Sequence, residues 1–299
     1  MNISEFKTQS INQLKNTSPS AQLDVEVFLL YALNFSRTQL LLKKDEEIPP
    51  QKLEWLLAAV EKRKTGLPVA YITGHKEFYG YDFFVNPSVL IPKPDTEILV
   101  ERAVELVIEK MDARPNQLLT VCDMCTGSGC IALAVYKTLK EVYKIADGSM
   151  PKFTLVDISS DALEVAKQNA KNLDCDVRFA RSNLFDVVPG SFDLILTNPP
   201  YIPATLVDEL LQDGRNEPRL ALDGDVDEYG THTKTNDGLD LIRRLIPQMK
   251  QHLAPMGTIL METGEYNAKA AASIAENYGF KTEILKDLEG QLRVVEIRN

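Results

Sequence analysis

From residue 117 onward the chain alternates short apolar runs with amphipathic stretches. Residues 118–124, 153–157, 176–181, 192–196 and 258–261 read as strands, because runs this short and this apolar suit a sheet buried on both faces. Helical spacing falls between them, over 131–139, 161–171, about 238–252 and 268–278, and two further strands, 282–285 and 293–297, close the pattern. Asp161-Ala-Leu-Glu164 looks like a capping-box opening for its helix. Strand–helix alternation at this spacing predicts an α/β fold, a mostly parallel seven-stranded sheet with helices on both faces.

The first 70 residues follow a helical period throughout. Helices are expected over 3–15, over 21–33 with Ser20 as N-cap, over 36–42, and from Pro49-Pro50 to a stop at Gly66. Leu23, Phe28 and Leu30 are offered for burial on the second, and Leu53, Leu56, Leu57 and Val60 on the last, with Trp55 expected in the core. Alternating aromatics follow, Phe78, Tyr79, Tyr81, Phe83 and Phe84 around Gly80, and resemble a β-hairpin. Pro94 ends the extended stretch, and a helix capped by Asp95 or Thr96 buries Leu99, Ala103, Leu106 and Val107. The organisation expected is a helical domain over 1–73, a hairpin linker over 74–94 and an α/β domain over 95–299.

The chain has 299 residues, 44% hydrophobic and 25% charged, ample for a sizeable core. Its net charge is −10, while residues 1–85 carry ten basic and ten acidic side chains, so the acidity lies in the α/β part. That balance suits a protein partner better than nucleic-acid phosphates. No apolar run approaches membrane-spanning length, and the first residues lack a basic and apolar leader, so a cytoplasmic protein is expected. Without heptads or repeats, a monomer is expected. Cys122, Cys125 and Cys130 crowd together with no histidine near, which suits buried small residues better than zinc or a redox pair, and no metal is expected.

Two stretches carry candidate chemistry. The strand 192–196 runs into Asn198-Pro199-Pro200-Tyr201, where two prolines forbid continued pairing. An NH₂ group on a planar substrate has two donors. The Asn198 side-chain oxygen and the Pro199 carbonyl can take one each, Pro200 fixing the backbone direction, with Tyr201 against the flat face. The lone pair of an amide nitrogen is delocalised, so attack on an electrophile builds positive charge on its N–H groups. Acceptors aimed there favour the transition state. The second stretch is Asp123-x-x-x-Gly127-x-Gly129, between a strand and a helix, where glycines admit a ligand to the backbone. Asp157, after the second strand, suits a ribose diol or equally a helix cap. Asn183 and Leu184 follow the third strand, placed for an adenine or simply for a turn. The glycines alone fit nicotinamide or S-adenosylmethionine (SAM). The Asn-Pro-Pro-Tyr acceptor for an NH₂ group points to methyl transfer, since hydride transfer has no use for it.

These residues resemble class I SAM-dependent methyltransferases, and more narrowly the HemK/PrmC family of release-factor glutamine N5-methyltransferases. The likeness includes Tyr71-Ile-Thr-Gly74, Leu90-Ile-Pro-Lys-Pro-Asp-Thr-Glu97, Thr126-Gly-Ser-Gly129, Asn198-Pro-Pro-Tyr201, Glu217-Pro-Arg-Leu-Ala-Leu222 and Asp237-Gly-Leu-Asp240. It implies a Rossmann-like methyltransferase domain, SAM held by Cys125, Thr126, Gly127, Ser128, Gly129, Asp157, Asn183, Leu184 and Asn198, and a glutamine amide held by Asn198, Pro199, Pro200 and Tyr201. The implied substrate is the Gly-Gly-Gln glutamine of bacterial class I peptide chain release factors, docked in part by the helical domain. Cys125 stands where the family commonly has Gly, Lys93 where it has Arg, Asn183 where it has Asp, and Leu184 where it is often aromatic. A nucleic-acid amino-methyltransferase, acting on adenine N6 or guanine N2, is the alternative reading of the same acceptor. The Gly-, Asp- and Thr-rich stretch 223–240 reads as a mobile loop.

Overall fold

A computed structural model describes residues 1–214, 216–227, 229–233 and 235–299. It divides into two compact units, residues 1–75 with 209–216, and residues 76–208 with 217–299.

The first unit is built of α1 (Ile3–Leu14), α2 (Ala21–Leu33), α3 (Arg37–Leu42), α4 (Pro50–Lys64) and α5 (Val69–Thr73). Capping boxes from Asn2 with Glu5 and from Ser36 with Gln39 open α1 and α3. Phe6, Leu14, Val25, Phe28, Leu29, Leu56 and Val60 form the core. Three expectations fail here. Leu23 and Leu57 are exposed, because they lie off the stripes that bury Val25, Phe28 and Leu29 on α2 and Leu56 and Val60 on α4. Trp55 is half-buried, packed edge-on to Phe28 with Tyr31 beside it. Ser20 makes no cap bond; its hydroxyl donates to Asp24 at 2.8 Å instead. Asp24 also accepts from Ser18 Oγ and Arg63 Nε, each at 2.7 Å, which compensates a carboxylate taken out of water.

The second unit follows in the chain with β1 (His75–Phe78) and β2 (Tyr81–Phe84), paired as a hairpin, then α6 (Glu97–Ala113), β3 (Thr120–Met124), α7 (Cys130–Glu141), β4 (Lys152–Asp157), α8 (Ser160–Asn172), β5 (Arg178–Arg181) and β6 (Phe192–Thr197). Completing the chain are α9 (Ala204–Leu210), α10 (Asp240–His252), β7 (Leu253–Glu262), α11 (Ala268–Asn277), β8 (Lys281–Lys286) and β9 (Leu292–Arg298). The seven-stranded sheet has the order β5-β4-β3-β6-β7-β9-β8, parallel from β5 to β7, with β9 antiparallel to both β7 and β8. Along β6 the side chains alternate from Leu194 on: Leu194 and Leu196 join the core of α6 and α7 and Ile195 that of α10 and α11, while Phe192, on the other side of a register shift, joins Ile195. Burial on both faces is why this strand is apolar at nearly every position.

Element ends account for most other differences. Strand β3 begins at Thr120, leaving Leu118 exposed. The cap of α8 is Ser159, whose hydroxyl accepts from Ala162 N, in place of a box at Asp161. The stretch 223–240, expected to be a mobile loop, is anchored. Asp223 and Asp225 are fully buried, and both Asp225 carboxylate oxygens accept from Gly238 N at 2.9 Å. Glu228 and Lys234 of that stretch lie outside the described residues. Strand order reverses at β3, with β4 and β5 on one side and β6 on the other. Open α/β sheets bind ligands at such a switch point, off the carboxyl ends of the strands.

Candidate active site

A cleft of about 1160 Å³, its open mouth included, opens at that switch point. On one wall, β3 ends and the chain turns through Cys125 at φ +60°, Gly127 at +55° and Gly129 at +80°. A methyl group built on Gly127 meets nothing within 4 Å, whereas one on Gly129 would come within 3.0 Å of Leu133 Cδ1 and 3.2 Å of Leu155 Cδ2. Gly127 therefore leaves room for a ligand, and Gly129 lets helix α7 pack against the sheet. Cys125 and Leu184, at φ +49°, hold left-handed conformations that side-chain-bearing residues disfavour by about 1–2 kcal/mol. Both line the cleft, and backbone strain of this kind gathers at binding sites.

Two carboxyls shape the loop. Asp123 is buried beneath it and accepts from Thr126 Oγ1 at 2.6 Å, while its Oδ1 has no partner. Burial, only partly offset by the Thr126 hydroxyl, pushes this carboxyl up to about 7. Asp157, at the end of β4, accepts from Gly127 N and Ser159 N at 2.9 Å each. Desolvation raises its pKa, opposed by those backbone donors. It ties the Gly loop to the residue that caps α8 and also lines the cleft. All four cysteines are free, and burial raises the pKa of each, Cys130 to about 12.

Asn198 and Pro200, on the turn after the neighbouring strand β6, line the same cleft. Pro199 and Tyr201 are not among the lining residues. Tyr201 points its hydroxyl to Glu262 Oε1 at 3.3 Å, and its ring packs against the α10–α11 core. The turn is braced from behind. The Tyr201 carbonyl accepts from Asn267 Nδ2 at 2.9 Å, Ile202 N donates to Leu222 O at 2.9 Å, and Gly224 N donates to Ile202 O at 3.0 Å. Gly238, at φ +74°, presses against the same Tyr201 carbonyl, so closely that a Cβ there would lie 2.1 Å from the oxygen. The stretches 217–222 and 237–240 thus act as scaffold for the Asn198 turn.

The cleft gathers every residue expected to hold donor or acceptor except Gly129, Pro199 and Tyr201. Several others that line it were given no binding role by the sequence, and Thr96, expected as a helix cap, makes no side-chain cap bond. Lys93 and Thr96 come from the segment before α6, and Arg244 from α10. Lys93 pairs with Glu217 at 2.7 Å, joining two motif segments 124 residues apart. The signal for the first two was present in Pro92-Lys-Pro-Asp-Thr-Glu97, without a partner to give it meaning. Among the described residues, Asp225, Asp237 and Asp240 are close enough to share a cation, but their oxygens are engaged by Gly238 N, Thr235 and Arg243.

Residues 6–74 match the PrmC N-terminal domain family, and residues 98–213 match the methyltransferase small domain family. A release factor glutamine methyltransferase of Koribacter versatilis is 37% identical over 283 residues, covering 93% of this chain and 91% of the relative. Proteins of the same name from Haemophilus influenzae and Clostridium acetobutylicum are each 35% identical, with 98% and 99% of this chain covered and 98% of each relative.

Proposed function

This chain belongs to the release factor glutamine methyltransferases, and on that premise we propose how its residues carry the reaction. The enzyme uses SAM to methylate the side-chain amide nitrogen, N5, of the glutamine in the Gly-Gly-Gln motif of peptide chain release factors. One observation carries the residue assignment: Asn198 and Pro200 share a single cleft with Gly127, Asp157 and Leu184.

The cleft fits the donor. Gly127 leaves open space where a ligand would meet backbone, and Asp157 offers a carboxylate for a diol. Residues 125–129 and Asn198 would hold the amino-acid part, and Asn183 and Leu184 the adenine edge and face. Bound SAM supplies an electrophilic methyl group on sulfonium. On the acceptor side, Asn198 Oδ1 takes one N–H donor of the glutamine amide and orients its nitrogen, and Pro199, outside the cleft lining, would have to turn its carbonyl to the other. Methyl transfer would form the N–C bond at the expense of the sulfonium C–S bond, leave S-adenosylhomocysteine, and gather positive charge on those N–H groups. The two oxygens oppose it. The cationic N-methyl amide then gives its proton to water, so no general base is required. Tyr201, its hydroxyl held by Glu262, keeps the turn in shape.

The helical domain, residues 1–73, docks the release factor; residues 74–94 link it to the methyltransferase domain, residues 95–299. The enzyme works as a cytoplasmic monomer without direct contact to nucleic acid. No helix among the described residues is long and apolar enough to cross a membrane. The decisive experiment offers labelled SAM with release factor, tRNA, rRNA or DNA. Label is expected on the release factor at the Gly-Gly-Gln glutamine alone; transfer to adenine or guanine amino groups would replace this reading with the nucleic-acid one.

A further inference from the structure

The hairpin of β1 and β2 forms a sheet of its own, yet its last residue is tied to the Gly loop of the cleft. The tie is Asn169 of α8, which is fully buried. Phe84 N donates to Asn169 Oδ1 at 2.7 Å. Asn169 Nδ2 donates in turn to Phe84 O at 3.0 Å and to Ser128 O at 2.9 Å. A backbone donor and a backbone acceptor on one residue leave the amide a single orientation. Turned end for end, it would set N–H against N–H and oxygen against oxygen. The hairpin thus decides that an NH₂ group, and not an oxygen, faces the Gly loop.

That group holds the Ser128–Gly129 peptide. Ser128 lines the cleft and Asn169 does not, so the bond draws the Ser128 carbonyl away from the cleft. The other end of the same peptide is held as well, Gly129 N donating to Thr126 O at 2.8 Å. Gly129 sits at φ +80°, and glycine takes either sign of φ, so backbone sterics alone do not stop this peptide from turning over. Turned over, it would bring a carbonyl oxygen toward the cleft. A donor whose amino-acid part lies along residues 125–129 places a carboxylate there, and negative charge repels negative charge.

We propose that Asn169 is a positioning residue for the donor and that the β-hairpin belongs to the donor site. Through Phe84 the hairpin orients Asn169, and Asn169 keeps the Ser128 carbonyl turned away from the donor carboxylate. The inference rests on the reading of the cleft as the SAM site, with residues 125–129 at the amino-acid end.

The test uses the full chain and two donor analogues, S-adenosylhomocysteine and methylthioadenosine. The second keeps the adenosine and the thioether and lacks the amino-acid part. Asn169→Ala and Asn169→Asp are compared with wild type by calorimetry, at a temperature where circular dichroism shows each to be folded. Both variants are expected to bind S-adenosylhomocysteine ~10-fold or more weakly, the scale of one lost buried hydrogen bond, and methylthioadenosine within about threefold of wild type. Asn169→Asp is the weaker binder of the two, since it sets a carboxylate against both carbonyl oxygens. In turnover, KM for SAM rises while kcat at saturating SAM stays within about threefold. If a folded Asn169→Ala binds S-adenosylhomocysteine as wild type does, or loses both analogues alike, the positioning role is wrong and the reading of the cleft stands. If wild type binds neither analogue, the reading of the cleft fails first. Should neither variant fold, amide exchange in the wild-type chain without donor decides. A Gly129 N–H slowed by ~10²-fold or more supports the inference, and free exchange there overturns it.

Discussion

At Gly127 and Gly129 two glycines one residue apart have opposite duties. A methyl on Gly127 projects into open space and costs only the left-handed φ, about 1–2 kcal/mol. A methyl on Gly129 meets Leu133, Leu155 and Ala166. Gly127→Ala is therefore expected to lose SAM affinity, ~10-fold or more by calorimetry, with a modest fall in stability, whereas Gly129→Ala loses stability first. Wild-type donor binding by Gly127→Ala would remove this loop from the donor's contacts. Asn198→Ala should cut turnover by ~10²-fold, the typical loss on removing one preorganised polar contact. Asp157 must be ionised to accept from a diol, and burial raises its pKa. SAM affinity should thus weaken as pH falls into the acid range, and Asp157→Asn should abolish that dependence. The Gly loop, Asp157 and Asn198 could be picked out from sequence because each chemical demand sits within a few residues of a strand end. Thr96 and Glu262 could not, since neither has meaning until the fold brings Thr96 to Asn198 and Glu262 to the Tyr201 hydroxyl.

Among elements, the strand 192–196 and the helices around it were legible because burial on one face or on two leaves a period in the sequence. The stretch 223–240 was not. Its Gly, Asp and Thr content is the composition of a solvated loop, yet Asp225 turns inward to gather Gly238 N, Ala204 N and the Thr235 hydroxyl. A buried carboxylate that organises a loop is invisible to composition, because the same residue type usually faces water. Gly238 is the point where this loop meets the catalytic turn. Gly238→Ala drives a methyl into the Tyr201 carbonyl and strains φ, and the expected result is a loss of more than ~1 kcal/mol in urea unfolding together with a fall in kcat larger than any change in SAM Kd. Unchanged kcat would mean that the loop does not set the shape of the turn.

For the molecule as a whole, two buried acids set a pH dependence of folding. Glu262 is raised from 4.5, and Asp123 from 3.8, to about 7 in each case. An acid whose folded pKa lies above its unfolded value favours the fold while it keeps its proton. That contribution is complete below pH 4 and is lost as pH rises through 7. Glu262→Gln removes one such group. Its Tm relative to wild type should rise between pH 5 and 8. A Tm difference independent of pH would mean that Glu262 does not titrate in this window. At this scale the parallel sheet and its switch point follow from alternating strands and helices. The place of β9 did not, because periodicity reports that a strand is buried and says nothing of its neighbours.

That place has a consequence for how the protein comes into being. Strand β8 precedes β9 in the chain but touches the sheet only through it. While a ribosome still holds 292–298 in its exit tunnel, β8 has no ladder to join, and the edge of β7 that β9 will occupy stays open. The nascent enzyme must carry an unfinished sheet until β9 emerges and enters between two strands made before it.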